Sequence, residues 1–386
     1  MPYFNNHWQE LKEALRAQAL AIGFDVARFA PATPPPTADN LLPWLEKGCH
    51  GEMAWLTQNT ARRQDPGQLM EGVGVVLVLG SNYRPAESFC HTPPRMGISA
   101  YARNNDYHDH LKKRLKRLSR WLRDHLGEEV NTRGFVDTAP VMEKPLAATC
   151  GIGWQGKNAL LISRQYGAWL LLSELFLPFP LPPDPPEPDR CGSCNRCQLA
   201  CPTGALDIPY RLEARNCIAY LTVEYKGPIP LHLRRAMGNR VFGCDDCIEA
   251  CPWNRFAPAT GDEAFLPRES LTAPSLLEFA DLDEDTFRAV FRKSPIKRIG
   301  RERFLRNLAV ALGNWGAPEA LSALERLRDD PSPLVQSHAL WGLDAALMPD
   351  KNTREKNDDV RDAGKKGCVE SMGKAFYLFK NGQPNN

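Results

Sequence analysis

Cys191-Gly-Ser-Cys194-Asn-Arg-Cys197-Gln-Leu-Ala-Cys201-Pro202 is the stretch that orients this 386-residue chain. A second set follows: Cys217, then Cys244-Asp-Asp-Cys247-Ile-Glu-Ala-Cys251-Pro252. Three thiolates at x2 intervals wrap one corner of a cube, and the trailing x3-Cys-Pro turns the chain away. That is the bacterial spacing for a [4Fe–4S] cluster, and where two runs occur the fourth cysteine of each crosses to the other cluster. The rule puts Cys191, Cys194, Cys197 and Cys251 on one cluster and Cys201, Cys217, Cys244 and Cys247 on the other. Zinc also takes paired Cys-x2-Cys, but it needs four ligands from two pairs, not a triple followed by x3-Cys-Pro. Cys49, Cys90, Cys150 and Cys368 are left over, and lone cysteines usually serve as small buried hydrophobes. Two adjacent clusters form a short electron wire. They perform no substrate chemistry alone, so an acceptor site is expected beside them.

Outward from this module the chain changes character. Residues 178–188 hold seven prolines in eleven positions, a stiff extended linker. Before it, residues 1–177 alternate helical and strand patterns. Trp8, Leu11, Leu15 and Ile22 share a helical face, as do Leu111, Leu115, Leu118 and Leu122. Residues 24–29, 73–79, 134–136, 159–162 and 169–176 read as strands, the second a continuous β-branched run expected in a buried position. An α/β domain is the expectation there. The iron–sulfur module spans 189–258, a ferredoxin-like double [4Fe–4S] unit. Residues 259–349 turn helical: 303–314, 318–327 and 333–347 are short amphipathic helices separated by Gly or Pro, a pattern like HEAT repeats. Residues 350–386 are polar and read as a poorly ordered tail, although residues 376–379 (Phe-Tyr-Leu-Phe) could dock.

Composition narrows the function classes. Hydrophobic residues are 43% and charged residues 24%, ordinary for a globular protein. Net charge is +2, so an anionic partner needs a local basic patch. The most apolar stretch, residues 168–179, contains Ser173, Glu174 and Pro178 and is too short to cross a bilayer. The N-terminus shows no export pattern and no twin-Arg pair, so a cytoplasmic monomer without membrane contact is expected. Twelve cysteines in a reducing compartment point to metal or redox work rather than disulfides.

Several further segments are specific: Trp44-Leu45 with Gly48 and His50-Gly51-Glu52-Met53; Arg63-Gln64-Asp65-Pro66; Tyr101-Ala102-Arg103 leading to Asp106-Tyr107-His108-Asp109; Val136-Asp137-Thr138-Ala139-Pro140; and Gly151 through Asn158. In this order, and with the double cluster, they resemble the epoxyqueuosine reductases, cobalamin-dependent iron–sulfur enzymes of tRNA modification. The resemblance covers about residues 5–347; the tail after Pro349 lies outside it. It implies that epoxyqueuosine at the wobble position of a tRNA anticodon loses its epoxide oxygen as water, giving queuosine. Electrons from an external low-potential donor would pass through the clusters to cobalamin in an N-terminal domain similar to that of reductive dehalogenases. Asp137 matches the family's proton donor. Arg63, Ser99, Asp137, Lys144, Asn158, Leu161, Ala219, Asp245 and Asp246 match its cobalamin-contacting segments.

The residues bear on this independently. An epoxide oxygen leaves poorly as an alkoxide, so a proton must arrive as the C–O bond breaks, and a carboxyl group raised by burial against a flat apolar corrin could bring it. By itself Asp137 reads rather as a turn or N-cap residue, common before Thr-Ala-Pro; the resemblance reverses that preference. Gly151-x-Gly153-x-x-Gly156 imitates a dinucleotide fingerprint without the acidic residue about twenty positions on. A loop letting backbone approach the cofactor is the preferred reading. His108 lacks the following glycine of an Asp-x-His-x-x-Gly cobalt-ligand motif, so it reads as a satisfied polar residue. Of two basic runs, the one from Lys112 to Arg123 keeps strict leucine spacing and reads as a solvated helix face. The other, Arg288, Arg292, Lys293, Lys297, Arg298, Arg301, Arg303 and Arg306, has only Glu302 opposing. It is expected to meet tRNA phosphates through Lys297, Arg298 and Arg301, with Lys226 from a loop that matches a family segment near RNA. Tyr220, Tyr225 or Trp253 could stack on an extruded base. Two other functions compete: a reductive dehalogenase-like reductase of a small molecule, which usually carries an export signal and has no use for a basic helical region, and a plain electron carrier, which has no use for Asp137.

Overall fold

The computed structural model describes residues 2–86, 92–127, 129–272 and 274–347, with side chains from residue 7 onward. The tail expected at 350–386, Cys90 and Cys368 lie outside the described residues.

The continuous β-branched run becomes the spine of the N-terminal domain. Helix α1 (Pro2–Ile22) leads into β1 (Val26–Pro31), which pairs antiparallel with β2 (Val75–Asn82). Helix α2 spans Tyr107–Leu126, β3 Arg133–Phe135, α3 Glu143–Thr149 and β4 Leu170–Leu177. Sheet order is β1-β2-β4-β3, antiparallel at every pair. Strands and helices alternate along the chain, yet no crossover makes two strands parallel. Every residue of β2 is buried, because its alternating faces are both covered. Val75, Leu77 and Leu79 meet Leu11, Leu15, Leu111 and Leu118 of α1 and α2, while Val76 and Val78 meet Leu146 and Ala147 of α3. The result is helix, sheet, helix.

Helix α2 begins at Asp106, whose carboxylate accepts the His108 N–H, and ends at Gly127 with φ 69°, a left-handed position that glycine occupies without strain. The N-cap matters later, because it fixes the first turn where Tyr107 and His108 sit.

The proline stretch is strapped to the domain rather than spanning a gap. Leu181 enters the core of α1 and α2, and Asp184 binds Lys12 at 2.8 Å, Arg16 at 2.9 Å and the Phe29 N–H at 2.9 Å. Nor do the blocks of sequence keep separate cores. Met96, Ile98 and Ala102 pack with the C-terminal helices, and Gly97–Ile98 pairs in parallel with Arg240–Phe242. Those helices are α4 (Gly300–Trp315), α5 (Pro318–Arg328) and α6 (Pro333–Leu347). Helices α4 and α6 cross closely because a Cβ on Gly313 would stand 2.5 Å from the Gly342 Cα.

Among the described residues, no helix is long and apolar enough to cross a membrane.

Candidate functional site

The cysteines gather in two groups. Burial raises the Cys251 thiol to about 11, with Cys191, Cys197 and Cys194 near enough to add to it. Burial also raises Cys247, with Cys217 and Cys201 adding, and it raises Cys244, which lies in reach of Cys247. No three His, Cys, Asp or Glu side chains among the described residues converge closely enough to hold one metal ion. The first group is braced by residues no spacing rule picks out. Trp154 Nε1 donates to Cys191 Sγ at 3.4 Å, Lys157 Nζ binds the carbonyls of Gly192 and Cys194, and Asp189 accepts the Cys191 N–H. Such donors orient thiolates and tune what they bind.

The second group is the nearer one to Asp137, since Lys144 lies in electrostatic reach of both Cys217 and Asp137. Asp137 is neither an N-cap nor inside an element. It follows β3 with φ 56°, and α3 starts six residues later. Its side chain is 55% exposed.

Around it runs a chain of polar contacts. Tyr107 Oη donates to Asp137 Oδ2 at 2.9 Å, and His108 Nε2 lies 3.2 Å from the same oxygen. His108 Nδ1 is 2.6 Å from Asp106 Oδ1, and Arg298 Nη2 donates to Asp106 Oδ2 at 2.7 Å. The His108 bond and, more weakly, the Tyr107 bond lower the Asp137 pKa against the opposing effect of burial. Burial by the chain alone does not raise it: two aimed donors outweigh desolvation here. The same His108 bond favours the charged imidazole. Burial pulls His108 down, but its bonds to Asp106 and Asp137 prevail and raise it. Asp106 is lowered to about 2, its His108 and Arg298 partners overcoming burial. His108 is therefore more than a satisfied polar residue. The signal was available: Asp-Tyr-His at a helix start places an N-cap, a phenol and an imidazole on one turn.

The other expected residues divide. Arg63 stacks its guanidinium 5.3 Å from the Trp55 ring and leaves a buried Nε without a partner; Glu143 lies in electrostatic reach. Lys144 is exposed at the start of α3. Ser99 is committed to Asp245 at 2.5 Å, and Asp246 to Arg240 at 2.6 Å. These four residues line a small recess with Gly243 and Cys244. Asn158 donates to the Cys247 carbonyl at 3.2 Å. The Leu161 side chain is buried in the core against α3, so only its backbone faces outward chemistry. Ala219 lies half-buried on the helix Ile218–Val223, just after Cys217. The glycine loop is corrected: Cβ atoms on Gly151 and Gly153 would collide with Pro185 O and Ile162 O, and one on Gly156 would stand 2.7 Å from Ile162 Cγ1. Those glycines allow the chain to pack on itself.

The basic run divides as well. Lys226, Lys297 and Arg298 are exposed, and Arg298 abuts the Asp106–His108 chain. Arg301 is spent on Asp330 and the Leu282 carbonyl, so its guanidinium is not free for phosphate. Arg306 has no exposure and binds the carbonyls of Leu221, Tyr225 and Gly227, fixing the loop that carries Lys226. Of the stacking candidates, Tyr220 is buried with its Oη accepting the Glu52 N–H, and Trp253 packs edge-on against Trp154. Tyr225 is the half-buried one beside Lys226.

Eight thiols in two groups, with an exposed carboxylate backed by a histidine, fit an iron–sulfur oxidoreductase. Residues 190–254 match the 4Fe-4S double cluster binding domain and residues 63–138 the model described as epoxyqueuosine reductase QueG, DUF1730. The chain is 40% identical over 338 residues to the epoxyqueuosine reductase of Escherichia coli K12, covering 86% of this chain and 89% of that one. To the Pseudomonas aeruginosa epoxyqueuosine reductase it is 46% identical over 308 residues, covering 78% and 84%. A crystal structure of epoxyqueuosine reductase with an epoxyqueuosine-modified tRNA-Tyr stem loop superposes with TM-score 0.82 at 28% identity, covering 89% and 92%. The Bacillus subtilis enzyme, with its aspartate catalytic loop swung out of the active site, gives TM-score 0.80 at 27% identity, covering 93% and 98%. This chain belongs to the epoxyqueuosine reductase family.

Proposed function

We propose that this protein reduces epoxyqueuosine in the anticodon loop of tRNA to queuosine, with cobalamin and two [4Fe–4S] clusters as cofactors. The observation that supports it most is the chain Arg298–Asp106–His108–Asp137 ending in an exposed carboxylate; we place the reaction cleft there, on the side of the second cysteine group. The overall change is epoxide plus two electrons plus two protons, giving alkene and water. Electrons enter from an external low-potential donor through the thiolate-held clusters, Cys191, Cys194, Cys197 and Cys251 on one, Cys201, Cys217, Cys244 and Cys247 on the other.

The cleft has features that fit cobalamin: a buried Arg63 Nε with no partner, an exposed Lys144 and an accessible carboxylate. These, with Asn158 and the backbone near Leu161 and Ala219, would hold it, while Ser99, Asp245 and Asp246 shape the recess behind. Cobalamin, when bound, supplies a reduced metal centre nucleophilic enough to open the epoxide. The rest falls to the chain. Asp137 passes a proton to the leaving oxygen, and His108 restores that proton while Asp106 and Arg298 hold the imidazole in place. The short turn Pro295–Ile299, just before the HEAT-like helices α4–α6, and the loop at Lys226 present Lys297, Arg298 and Lys226 to the stem-loop phosphates. We place the reaction in the cytoplasm, with a monomeric enzyme.

The test is single-turnover conversion of epoxyqueuosine-tRNA by Asp137→Ala protein carrying clusters and cobalamin, followed by nucleoside mass spectrometry. Loss of conversion by at least 100-fold with tRNA affinity kept is expected; a near wild-type rate overturns the assignment of the acid.

A further inference from the structure

Behind the Asp137 loop lies an acid that the proton chain does not use. Glu174 stands in β4 opposite Val78 of β2 and Phe135 of β3. It is completely buried, and neither carboxyl oxygen has an ordinary hydrogen-bond partner. An ionised carboxylate there is prohibitively costly, so Glu174 carries a proton. The titratable group beside it is Glu143, the first residue of α3. Glu143 Oε1 in turn accepts the Asp137 backbone N–H at 2.6 Å. That N–H belongs to a residue with φ 56°, a conformation that a Cβ-bearing residue keeps only when its surroundings impose it.

We propose that Glu143 is a positioning residue for Asp137, one carboxyl oxygen on the backbone N–H holding the loop at positive φ, and that the uncharged Glu174 behind it keeps a further negative charge away. This deepens the proposed function and rests on it for Asp137's role as acid. The charged and titratable groups facing the pair are Asp137 from the loop, Lys144 from α3, Arg63 from the helix Thr60–Gln64 and Tyr107 from α2. The sheet side offers the strand neighbours Val78 and Phe135. Burial and the Asp137 charge push Glu143 up to about 7. Burial holds the Glu174 proton well above the ordinary carboxyl range, so no third negative charge joins Glu143 and Asp137.

Hydrogen exchange of the peptide covering residues 133–142, corrected for intrinsic base catalysis, reads the loop without any turnover. In the cluster- and cobalamin-loaded full chain, Glu143→Ala should speed exchange at least tenfold, and Glu143→Gln, which keeps an acceptor, should restore most of the protection. Glu174→Gln, uncharged like the protonated acid it replaces, should keep the wild-type protection from pH 6 to 9. Single-turnover rates should fall 10–100-fold in Glu143→Ala with tRNA affinity within twofold. Wild-type exchange in Glu143→Ala, or a loop in Glu174→Gln that exchanges at least tenfold faster than wild type, overturns the proposal; the two Gln variants decide if Glu143→Ala does not fold. If Asp137→Ala keeps its rate while Glu143→Ala still frees the loop, the acid assignment fails and the positioning role stands.

Discussion

His108→Gln separates the charge of the imidazole from its shape. Glutamine fills similar space and can still donate toward Asp137, but it cannot ionise. A hydrogen bond to a charged group is worth about 1.5–3 kcal/mol and a neutral one about 0.5–1.5. The difference, about 1–1.5 kcal/mol, is close to one pKa unit, so the Asp137 carboxyl should rise by about that much from its depressed position. The wild-type pair holds its proton up to the raised pKa of His108; in the variant only Asp137 holds it, well into the acid range. Single-turnover reduction should therefore be flat in wild type below the His108 pKa and fall above it. At pH 7.5 the variant should lose about 10²–10³-fold, the span of general acid catalysis, and at pH 5.5 less than about tenfold. Stability shares the sign. A histidine raised above its ordinary 6.5 in the folded state contributes stability that is full below that value and is lost as pH rises through the raised one. A variant that keeps the wild-type alkaline limb refutes the assignment of the proton to His108.

Three other outcomes follow from the geometry. Arg306→Met leaves the carbonyls of Leu221, Tyr225 and Gly227 unpaired; at about 1 kcal/mol or more each, stability should fall by about 3 kcal/mol and Tm by roughly 4 °C, measured by calorimetry. Replacing Lys226, Lys297 and Arg298 by Ala should flatten the salt dependence of stem-loop binding by about 0.7–0.9 for each phosphate that these side chains neutralise, whereas Arg301→Ala, which frees Asp330, should lower Tm and leave the slope alone. Cys217→Ser should cut reconstituted iron by about half, since one cubane of the two loses a ligand; an unchanged iron-to-protein ratio removes Cys217 from the ligand set.

The strongest elements were legible along the chain because their causes are local. The cysteine spacing, the leucines of α2, the apolar run of β2 and the Gly and Pro marks between α4, α5 and α6 each depend on neighbours a few residues away. Pro333–Leu347 appears with the bounds its pattern indicates, and β2 is shifted by two or three residues. The charge state of Asp137 was not legible. It is set by His108 and Tyr107, 29 and 30 positions away in sequence, and burial alone predicts the opposite direction. The division of the basic run had the same origin: eight like residues in a row look alike until Asp330 and three backbone carbonyls select Arg301 and Arg306 for structural use. The glycine loop imitated a ligand-binding motif because sequence shows small residues, not what their missing side chains make room for. By itself, then, the sequence determined which groups exist and how they repeat. Only the tertiary structure decided which are protonated, which are free and which are spent, because electrostatics and desolvation depend on distance through space rather than along the chain.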